Sequence, residues 1–499
     1  MTRTTERSEV WLLTGTQHLY GEAIFATVDA HAKAIAQRLT DDPLSTMTVV
    51  AKPCLKTAEE ILAACRAAST DPLCKGVICW MHTFSPAKMW IAGLKALSVP
   101  LCHLHTQAHQ AIPWDSIDMD FMNLNQAAHG DREFGFMCTR LGLERKVVVG
   151  HVEAPATRQA VAAWMRAVGA WDAMKSLKLC RFGDNMRSVA VTDGDKVEAQ
   201  MHLGLTVDGY GVGDLVRVIE GVSDAEAEAL VRLYEDQYDL APELRKGGGK
   251  AQNLLDAARI ELGLRAFLDD GGYKAFTTTF EDLHGLKQLP GLAVQRLMHD
   301  GYGFGAEGDW KTSALVRTLK VLGQGEPGGT SFMEDYTYHM TADDTRVLGA
   351  HMLEVCPSLS RARPRCEAHP LGIGGKADPV RLVFDGDEGP AWTVSLVDLG
   401  HRFRMVAAAV DCVAPLQAMP RLPVGRVCWK PRPSLELSAA AWIYAGAGHH
   451  SVLTRTVTAE RLADWASMAN VELVTIDEST NVSTLRQMLK LSDAAYRAS

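Results

Sequence analysis

Short apolar runs alternate with amphipathic stretches through the first third of the chain. Five of these runs are bounded by polar residues or glycine, which is typical of strands buried on both faces of a sheet. They are Val10–Leu13, Met47–Ala51, Val77–Met81, Leu101–His105 and Val147–Val149. Between the first two runs, helical spacing is kept by the apolar residues Ile24, Val28, Ile35 and Leu39. We therefore predict a parallel sheet with helices on both faces and ligands beyond the carboxyl ends of its strands.

Helix-capping signals extend this alternation along the chain. Thr57-Ala58-Glu59-Glu60 and Ser223-Asp224-Ala225-Glu226 both have the capping-box pattern, in which a hydroxyl and a glutamate bind each other's backbone amides. Ala251–Phe267 predicts a long helix, and two segments before it, Leu179–Phe182 and Ser188–Thr192, resemble strands. A second α/β unit is therefore predicted to begin near residue 177.

The pattern changes again after residue 328. Four segments there predict antiparallel strands, namely Arg346–Val355, Val380–Phe384, Trp392–Val397 and Arg402–Val410. The turn Asp385-Gly386 fits a hairpin link between two of them, and a small helix is predicted near Ala459–Met468. The predicted fold class is α/β, with two doubly wound, Rossmann-like domains followed by a mainly antiparallel β domain. The predicted domains cover residues 1–176, 177–327 and 328–499.

Composition restricts the partners more than the activity. The 499 residues carry a formal net charge of −9, and no Lys/Arg-rich run offsets it. This balance argues against nucleic acid and against an anionic membrane surface as partners. The longest apolar stretch, Met405–Leu416, is interrupted by Asp411, so no transmembrane helix is expected.

Two further observations favour a cytoplasmic location. The segment Met1–Ser8 is polar, which argues against a secretory signal. The eleven cysteines show no C-x-x-C spacing, and many stand in apolar runs, as Cys79 and Cys102 do, where buried free thiols are usual. A reducing compartment is therefore expected.

Candidate chemistry is concentrated between residues 300 and 355. Glu307, Glu334 and His351 stand there among glycines and small residues, and Ala447-Gly448-His449-His450 offers further imidazoles. Carboxylates and imidazoles together suit a divalent ion such as Mn²⁺, Co²⁺ or Fe²⁺. The spacings among these residues form no local motif, so solvated or salt-bridged side chains are the alternative.

The segment Gly303-Phe304-Gly305-Ala306-Glu307-Gly308 matches the G-x-G-x-x-G fingerprint of dinucleotide-binding folds. That fingerprint needs a strand directly before it, whereas Leu292–Asp300 has a helix-like composition. The acid at Glu307 would also repel a pyrophosphate. Nucleotide binding is therefore disfavoured, and no nucleotide cofactor is expected.

Long segments of this sequence resemble L-arabinose isomerases. They include G-T-Q-H-L-Y-G at 15–21, M-H-T-F-S-P-A-K-M-W at 81–90, T-T-T-F-E-D-L-H-G-L-K-Q-L-P-G at 277–291, and residues 114–130, 180–196, 303–310, 330–339 and 351–357. The resemblance covers essentially the whole chain. It implies an aldose–ketose isomerase that converts L-arabinose to L-ribulose and D-galactose to D-tagatose, in L-arabinose catabolism.

The resemblance also implies roles for particular residues. One divalent metal per subunit, Mn²⁺ before Co²⁺ or Fe²⁺, would be held by Glu307, Glu334, His351 and His450. Glu307 and Glu334 would act as acid and base on a cis-enediol, with a hydride shift as the competing route. Contacts to the sugar are implied for Gln17, Leu19, Gln126, His129, Met186, Phe280, Ile373 and His449. Ordinary core packing is the alternative for Leu19, Met186 and Ile373.

Members of this family form homo-oligomers, commonly hexamers, with active sites at subunit junctions. The resemblance therefore implies that His129 acts across an interface. Two other functions stay open, a sugar-binding protein of two α/β lobes and an isomerase of another aldose such as L-fucose. The segment Ala108-His109-Gln110 departs from the usual family pattern, which leaves the pocket shape near it open.

Overall fold

The computed structural model describes residues 7–372 and 375–498. The chain divides into two compact units. The first comprises the chain up to Asp172 together with Thr458–Asn470, and the second comprises Ala173–Val457 together with the segment from Val471 onward. The predicted boundaries near residues 176 and 327 stay a prediction.

The first unit is built on a parallel sheet. Its strands are β1 Glu9–Gly15, β2 Thr48–Ala51, β3 Cys74–Met81, β4 Leu101–His105 and β5 Lys146–Val149, in the order β2-β1-β3-β4-β5. The helices between and after them are α1 Glu22–Thr40, α2 Ala58–Thr70, α3 Ile91–Ala96, α4 Met119–Asn123, α5 Ala127–Arg140 and α6 Pro155–Lys175. Alternate residues of β1 enter different cores, Val10 and Leu12 on one face and Trp11 and Leu13 on the other. The predicted doubly wound sheet is therefore confirmed.

Two local predictions for this unit need correction. Val147 and Val149 are 47% and 68% exposed, because β5 is an edge strand and is not buried on both faces. At the start of α2, the Thr57 side chain accepts the Glu60 amide, but the Glu60 carboxylate binds the amide of Lys56 instead of that of Thr57. The capping box is therefore half formed there, whereas the one between Ser223 and Glu226 is complete.

The second unit begins with another parallel sheet. Its first strands are β6 Lys178–Phe182, β7 Thr206–Tyr210, β8 Asp239–Leu240, β9 Ala275–Thr278 and β10 Gly303–Gly305. Four of them form a sheet in the order β10-β9-β6-β7. The accompanying helices are α7 Lys196–Leu203, α8 Val212–Glu220, α9 Asp224–Gln237, α10 Ala251–Gly271, α11 Gly291–His299 and α12 Trp310–Leu322. The strand predicted at Ser188–Thr192 is wrong, because Ser188 has a φ of 65° and Ala190–Thr192 form a short 3-10 helix.

The G-x-G-x-x-G segment has a structural explanation. Its first three residues are themselves strand β10, which follows helix α11 and runs into α12. A Cβ at Gly303 would lie 2.1 Å from the Ser313 carbonyl oxygen, and one at Gly305 would lie 2.4 Å from that of Asp309. The glycines therefore let α12 pack directly against the strand backbone.

The remainder of the second unit is mostly antiparallel. Its strands are β11 Thr330–Met340, β12 Thr345–Ala350, β13 Arg365–Ala368, β14 Val380–Asp385, β15 Gly389–Asp398, β16 Phe403–Val413, β17 Gly425–Pro431, β18 His450–Thr454 and β19 Glu472–Ile476. The last helices are α13 Leu435–Ala445, α14 Ala459–Met468 and α15 Val482–Ala498, and α14 belongs to the first unit. Strands β16, β15, β18, β11, β12 and β17 pair in that order, and β17 pairs again with β16. These six antiparallel strands therefore close into a barrel.

The predicted hairpin at Asp385-Gly386 is wrong. Strand β14 pairs with β13 and, in parallel, with β17, whereas β15 is flanked by β16 and β18. Because both edges of β15 are occupied within the barrel, the chain must leave β14 without folding back on it. The predicted strand at Arg346–Val355 also ends early, at Ala350. Among the helices of the described residues, none is both long and apolar enough to cross a membrane.

Candidate active site

Glu307 is held in an unusual backbone conformation in the loop between β10 and α12. Its φ is 59°, in the left-handed region that non-glycine residues seldom occupy. The Glu307 carbonyl accepts the amide of Met186 at 2.9 Å, and the next amide, of Gly308, donates to the Thr278 carbonyl at 3.1 Å. Left-handed residues of this kind are strained and cluster at functional sites, so the conformation makes Glu307 a candidate for a functional role.

Glu334 and the two histidines come from adjoining strands of the barrel. Glu334 on β11 stands opposite His450 on β18 and opposite Ala350, the last residue of β12. His351 follows directly, so three neighbouring strands bring the side chains together. The Nε2 atoms of His450 and His351 lie 3.3 and 3.5 Å from Oε1 of Glu334, and His450 Nε2 lies 3.6 Å from Oε2 of Glu307.

Each imidazole is held from behind by another carboxylate. Nδ1 of His450 lies 2.9 Å from Oδ2 of Asp309, and Nδ1 of His351 lies 2.5 Å from Oε2 of Glu354. With Nδ1 bound in this way, both Nε2 atoms face Glu334. Sequence reasoning missed Asp309 and Glu354. The available signals were the position of Asp309 as N-cap of α12 and the three-residue spacing from His351 to Glu354.

The electrostatics of the cluster follow from its close charges. Burial disfavours the charged form of His450, but the carboxylates of Asp309, Glu307 and Glu334 outweigh it and raise its pKa well above the usual value. The His351 pKa is raised against burial in the same way, chiefly by Glu354. For Glu307, burial alone would raise the pKa, but the nearby imidazoles of His449 and His450 lower it to about 2.

The residues present fit a divalent cation. Ligand atoms of Glu307, Glu334 and His351 lie within 4.8 Å of one another, and those of Glu307, His449 and His450 do so as well. The Nε2 atom of His450 is fully buried and has no hydrogen-bond partner. An unpartnered buried nitrogen between carboxylates is costly unless it binds something. Two carboxylates and two imidazoles are a donor set that suits Mn²⁺, Co²⁺ or Fe²⁺.

Comparison with known proteins decides the family. Models of the L-arabinose isomerase N-terminal, central and C-terminal domains match residues 4–176, 178–325 and 329–472. The chain belongs to the L-arabinose isomerase family. It is therefore an isomerase that interconverts an aldose and a ketose.

Individual members of this family match over nearly the whole chain. The L-arabinose isomerase of Geobacillus stearothermophilus is 57% identical over 489 residues, which are 98% of each chain. That of Herpetosiphon aurantiacus is 56% identical and covers 98% of this chain and 97% of its own. That of Nocardioides sp. is 55% identical and covers 100% of this chain and 99% of its own.

Two family-implied sugar contacts of the second unit, Met186 and His449, lie beside Glu307. Met186 donates its amide to the Glu307 carbonyl, and Nε2 of His449 lies 4.0 Å from Oε2 of Glu307. Phe280 lies one residue before Glu281, whose carboxylate accepts the amide of Arg187 at 3.0 Å. The segments that carry Met186 and Phe280 therefore meet. Ile373 lies outside the described residues.

The other four family-implied contacts, Gln17, Leu19, Gln126 and His129, belong to the first unit. Leu19 is 81% exposed, which excludes core packing of this side chain within the chain. Gln126 accepts the hydroxyl of Tyr20 at 3.0 Å, and the His129 ring stacks on Phe84 with centroids 4.7 Å apart. The assignment of sugar contacts to these residues stays a prediction.

Proposed function

We propose that this chain converts L-arabinose to L-ribulose, and also D-galactose to D-tagatose, in L-arabinose catabolism. Membership of the L-arabinose isomerase family supports the substrate. The observation that carries the proposal is the cluster of Glu307, Glu334, His351 and His450, in which a buried imidazole nitrogen without a hydrogen bond faces two carboxylates.

Aldose–ketose exchange moves a proton between two adjacent carbons and another between their oxygens. One glutamate removes the proton from C2 of the open-chain aldose, and its carboxyl group returns a proton to C1 of the resulting cis-enediol. The second glutamate exchanges the proton between O2 and O1, so that the sugar is isomerised with no net change in protons. Glu307 has its pKa lowered to about 2 by His449 and His450 and is therefore ionised at neutral pH, the form that can bind a cation.

A divalent metal belongs to the same proposal. Glu307, Glu334, His351 and His450 would hold one Mn²⁺, or Co²⁺ or Fe²⁺ in its place. Such a cation supplies Lewis-acid stabilisation of the negative charge that develops on the sugar oxygens. No nucleotide is part of the proposal, because the glycine-rich segment is used to pack β10 against α12.

The first test is ketose formation by metal-stripped protein before and after Mn²⁺ is restored, with L-arabinose as substrate. Glu307→Gln is assayed in parallel, and Glu228→Gln on the exposed face of α9 is the matched control. We expect activity that depends on Mn²⁺ and is abolished only by Glu307→Gln. Turnover of L-fucose but not of L-arabinose would overturn the substrate. An absence of turnover with every aldose and divalent metal would overturn the activity.

A second measurement tests the proton-transfer route. When the reaction runs in deuterated water, an enediol exchanges its proton with solvent, so deuterium is expected at C1 of the ketose. Product free of solvent deuterium would contradict the enediol and favour a hydride shift.

The proposal extends to assembly and location. A homo-oligomer, commonly a hexamer in this family, would use His129 across a subunit interface. Several large apolar side chains that precede His129 in the sequence are exposed, which supports a subunit interface in this segment. They are Ile112, Trp114, Ile117, Met119 and Met122, and Trp114 is 82% exposed. A cytoplasmic location is supported by eleven cysteines that are all buried free thiols. Light scattering of the purified protein measures the subunit number.

A further inference from the structure

The loop after β6 binds the two backbone carbonyls that directly follow the Glu307 side chain, those of Glu307 and Gly308. Met186 donates its amide to the Glu307 carbonyl at 2.9 Å, and the Asn185 side-chain amide donates to the Gly308 carbonyl at 3.1 Å. The approach is close, because a Cβ at Gly308 would lie 2.6 Å from Cα of Asn185. Two of the hydrogen bonds that hold the left-handed backbone at Glu307 therefore come from this short segment, and a third joins the Gly308 amide to the Thr278 carbonyl.

The orientation of the Asn185 amide is fixed by its neighbours. The Arg181 guanidinium, which can only donate, binds Oδ1 of Asn185 in a short hydrogen bond. Nδ2 therefore faces the carbonyls of Gly308 and of Thr192, the latter at 2.5 Å. Both donor positions of the amide are used on main-chain carbonyls.

The Thr192 carbonyl connects this contact to His450. The buried ammonium of Lys311 binds the same carbonyl at 3.2 Å and the Asp193 carbonyl at 2.5 Å. It also lies 3.2 Å from Oδ1 of Asp309, the residue that holds Nδ1 of His450. The Thr192 carbonyl is therefore bound by two side chains. Asn185 also binds the Gly308 carbonyl beside Glu307, and Lys311 also binds Asp309, which holds His450.

We propose that Asn185 is a positioning residue, which holds Glu307 in its left-handed conformation and thereby places the carboxylate beside His450 for cation binding and proton transfer. The proposal rests on the proposed function. Asn185 acts through the Gly308 peptide and is not itself a ligand or an acid. Its chemistry is specific, because the position needs two N–H donors toward carbonyls and one acceptor toward Arg181.

Substitutions at Asn185 are expected to change the site in a defined order. Asn185→Ser keeps one donor, Asn185→Ala removes both, and Asn185→Asp sets a carboxylate against two carbonyl oxygens. We expect the dissociation constant for Mn²⁺ to increase in that order. For Asn185→Ala the increase should be about 10- to 100-fold, as for other groups that orient ligands. At saturating Mn²⁺, kcat should fall while KM for L-arabinose changes little, because the sugar contacts stay in place.

The test is titration of metal-stripped protein with Mn²⁺ by calorimetry, together with kcat, KM and the melting temperature. Asn253→Ala is the matched control, since Asn253 also donates a side-chain amide to a main-chain carbonyl, that of Asp378 at 2.9 Å, in the same unit. If Asn185→Ala does not fold, Asn185→Ser is measured in its place. We expect the Asn185 variants to have a larger Mn²⁺ dissociation constant and a lower kcat, and Asn253→Ala to show neither change.

Two outcomes overturn the inference, and they are distinguishable. If unsubstituted protein binds Mn²⁺ and isomerises L-arabinose while the Asn185 variants match Asn253→Ala, only the positioning role fails. If unsubstituted protein neither binds Mn²⁺ nor turns over any aldose, the proposed function fails and the role of Asn185 fails with it.

Discussion

Two clusters, one in each unit, are both built from carboxylates and histidines, but their chemistry differs. In the first unit, the carboxylate of the buried Asp131 is hydrogen-bonded to His103 Nε2 at 3.0 Å, to His105 Nδ1 at 2.9 Å and to the Met81 amide at 3.0 Å. Both oxygens of this one carboxylate are bound, so the cluster is closed. It ties β4 to α5 and to β3.

In the second unit, carboxylates outnumber imidazoles and the arrangement is open. His351 and His450 each use Nδ1 on a carboxylate behind them and turn Nε2 toward Glu334. The His450 Nε2 atom is buried without a hydrogen-bond partner. No buried atom of His103 or Asp131 lacks a hydrogen bond in this way. The two clusters therefore differ in whether their hydrogen-bonding groups are satisfied, a difference that residue type alone does not show.

The largest effect is expected for Glu334→Gln, which keeps the size of the side chain but removes its charge from the open cluster. Catalysis should fall by about 10²- to 10⁴-fold in kcat/KM, the usual contribution of an acid–base group. L-ribulose formation measures it, and the exposed Glu228→Gln is the control. Unchanged turnover by a natively folded Glu334→Gln protein would contradict the assignment of the open cluster as the reacting site.

Substituting a carboxylate that binds histidine in each cluster should give different results for Mn²⁺ binding. Asp131→Ala leaves buried donors unsatisfied, so the free energy of unfolding should fall by about 2–5 kcal/mol. The dissociation constant for Mn²⁺ should stay unchanged. Asp309→Ala frees Nδ1 of His450 and should weaken Mn²⁺ binding by about 10- to 100-fold. Chemical denaturation and calorimetric titration measure the two quantities on both variants. Equal changes in Mn²⁺ binding would erase the distinction between the clusters.

Mn²⁺ binding should release protons from the open cluster. The pKa values of His351 and His450 are raised in the metal-free fold, so these imidazoles stay protonated above their unfolded pKa of about 6.5 and compete with the cation. Calorimetry in buffers of different ionisation enthalpy measures the protons released, and Mn²⁺ affinity should rise with pH. Binding without proton release would contradict the prediction.

The same shifts give the stability of metal-free protein a defined pH dependence. A raised folded pKa contributes stability that is fully present below about pH 6.5 and is lost as pH rises through the folded pKa values. The melting temperature of metal-free protein should therefore fall as pH rises above that point, and saturating Mn²⁺ should reduce the fall.

The smallest effect is expected outside both clusters. Ser223→Ala removes the capping box at the start of α9 and should cost about 1 kcal/mol of stability. Mn²⁺ binding and kcat should not change. This variant gives the size of an ordinary lost hydrogen bond, against which the Asp131→Ala result is judged. A change in Mn²⁺ binding would show that the open cluster responds to general destabilisation.

Much of the fold could be predicted from local pattern. The five strands of the first sheet, the helices α10 and α14 and the start of α9 follow from apolar spacing and capping residues, which depend on near neighbours. The errors fall where distant segments decide. Ser188–Thr192 alternates like a strand, but Asn185 and Lys311 bind the Thr192 carbonyl, which removes it from any sheet ladder.

Sequence by itself determined the family, the two parallel sheets with their antiparallel successor, and the four residues nominated as metal ligands, because long matching segments and short-range periodicity are written along the chain. Tertiary structure alone decided that six strands close into a barrel, that Asp309 and Glu354 hold the imidazoles, and that Asn185 fixes the backbone of Glu307. The physical reason is sequence distance. Glu334 and His450 are paired by strand register across more than a hundred residues, and no local spacing encodes that contact.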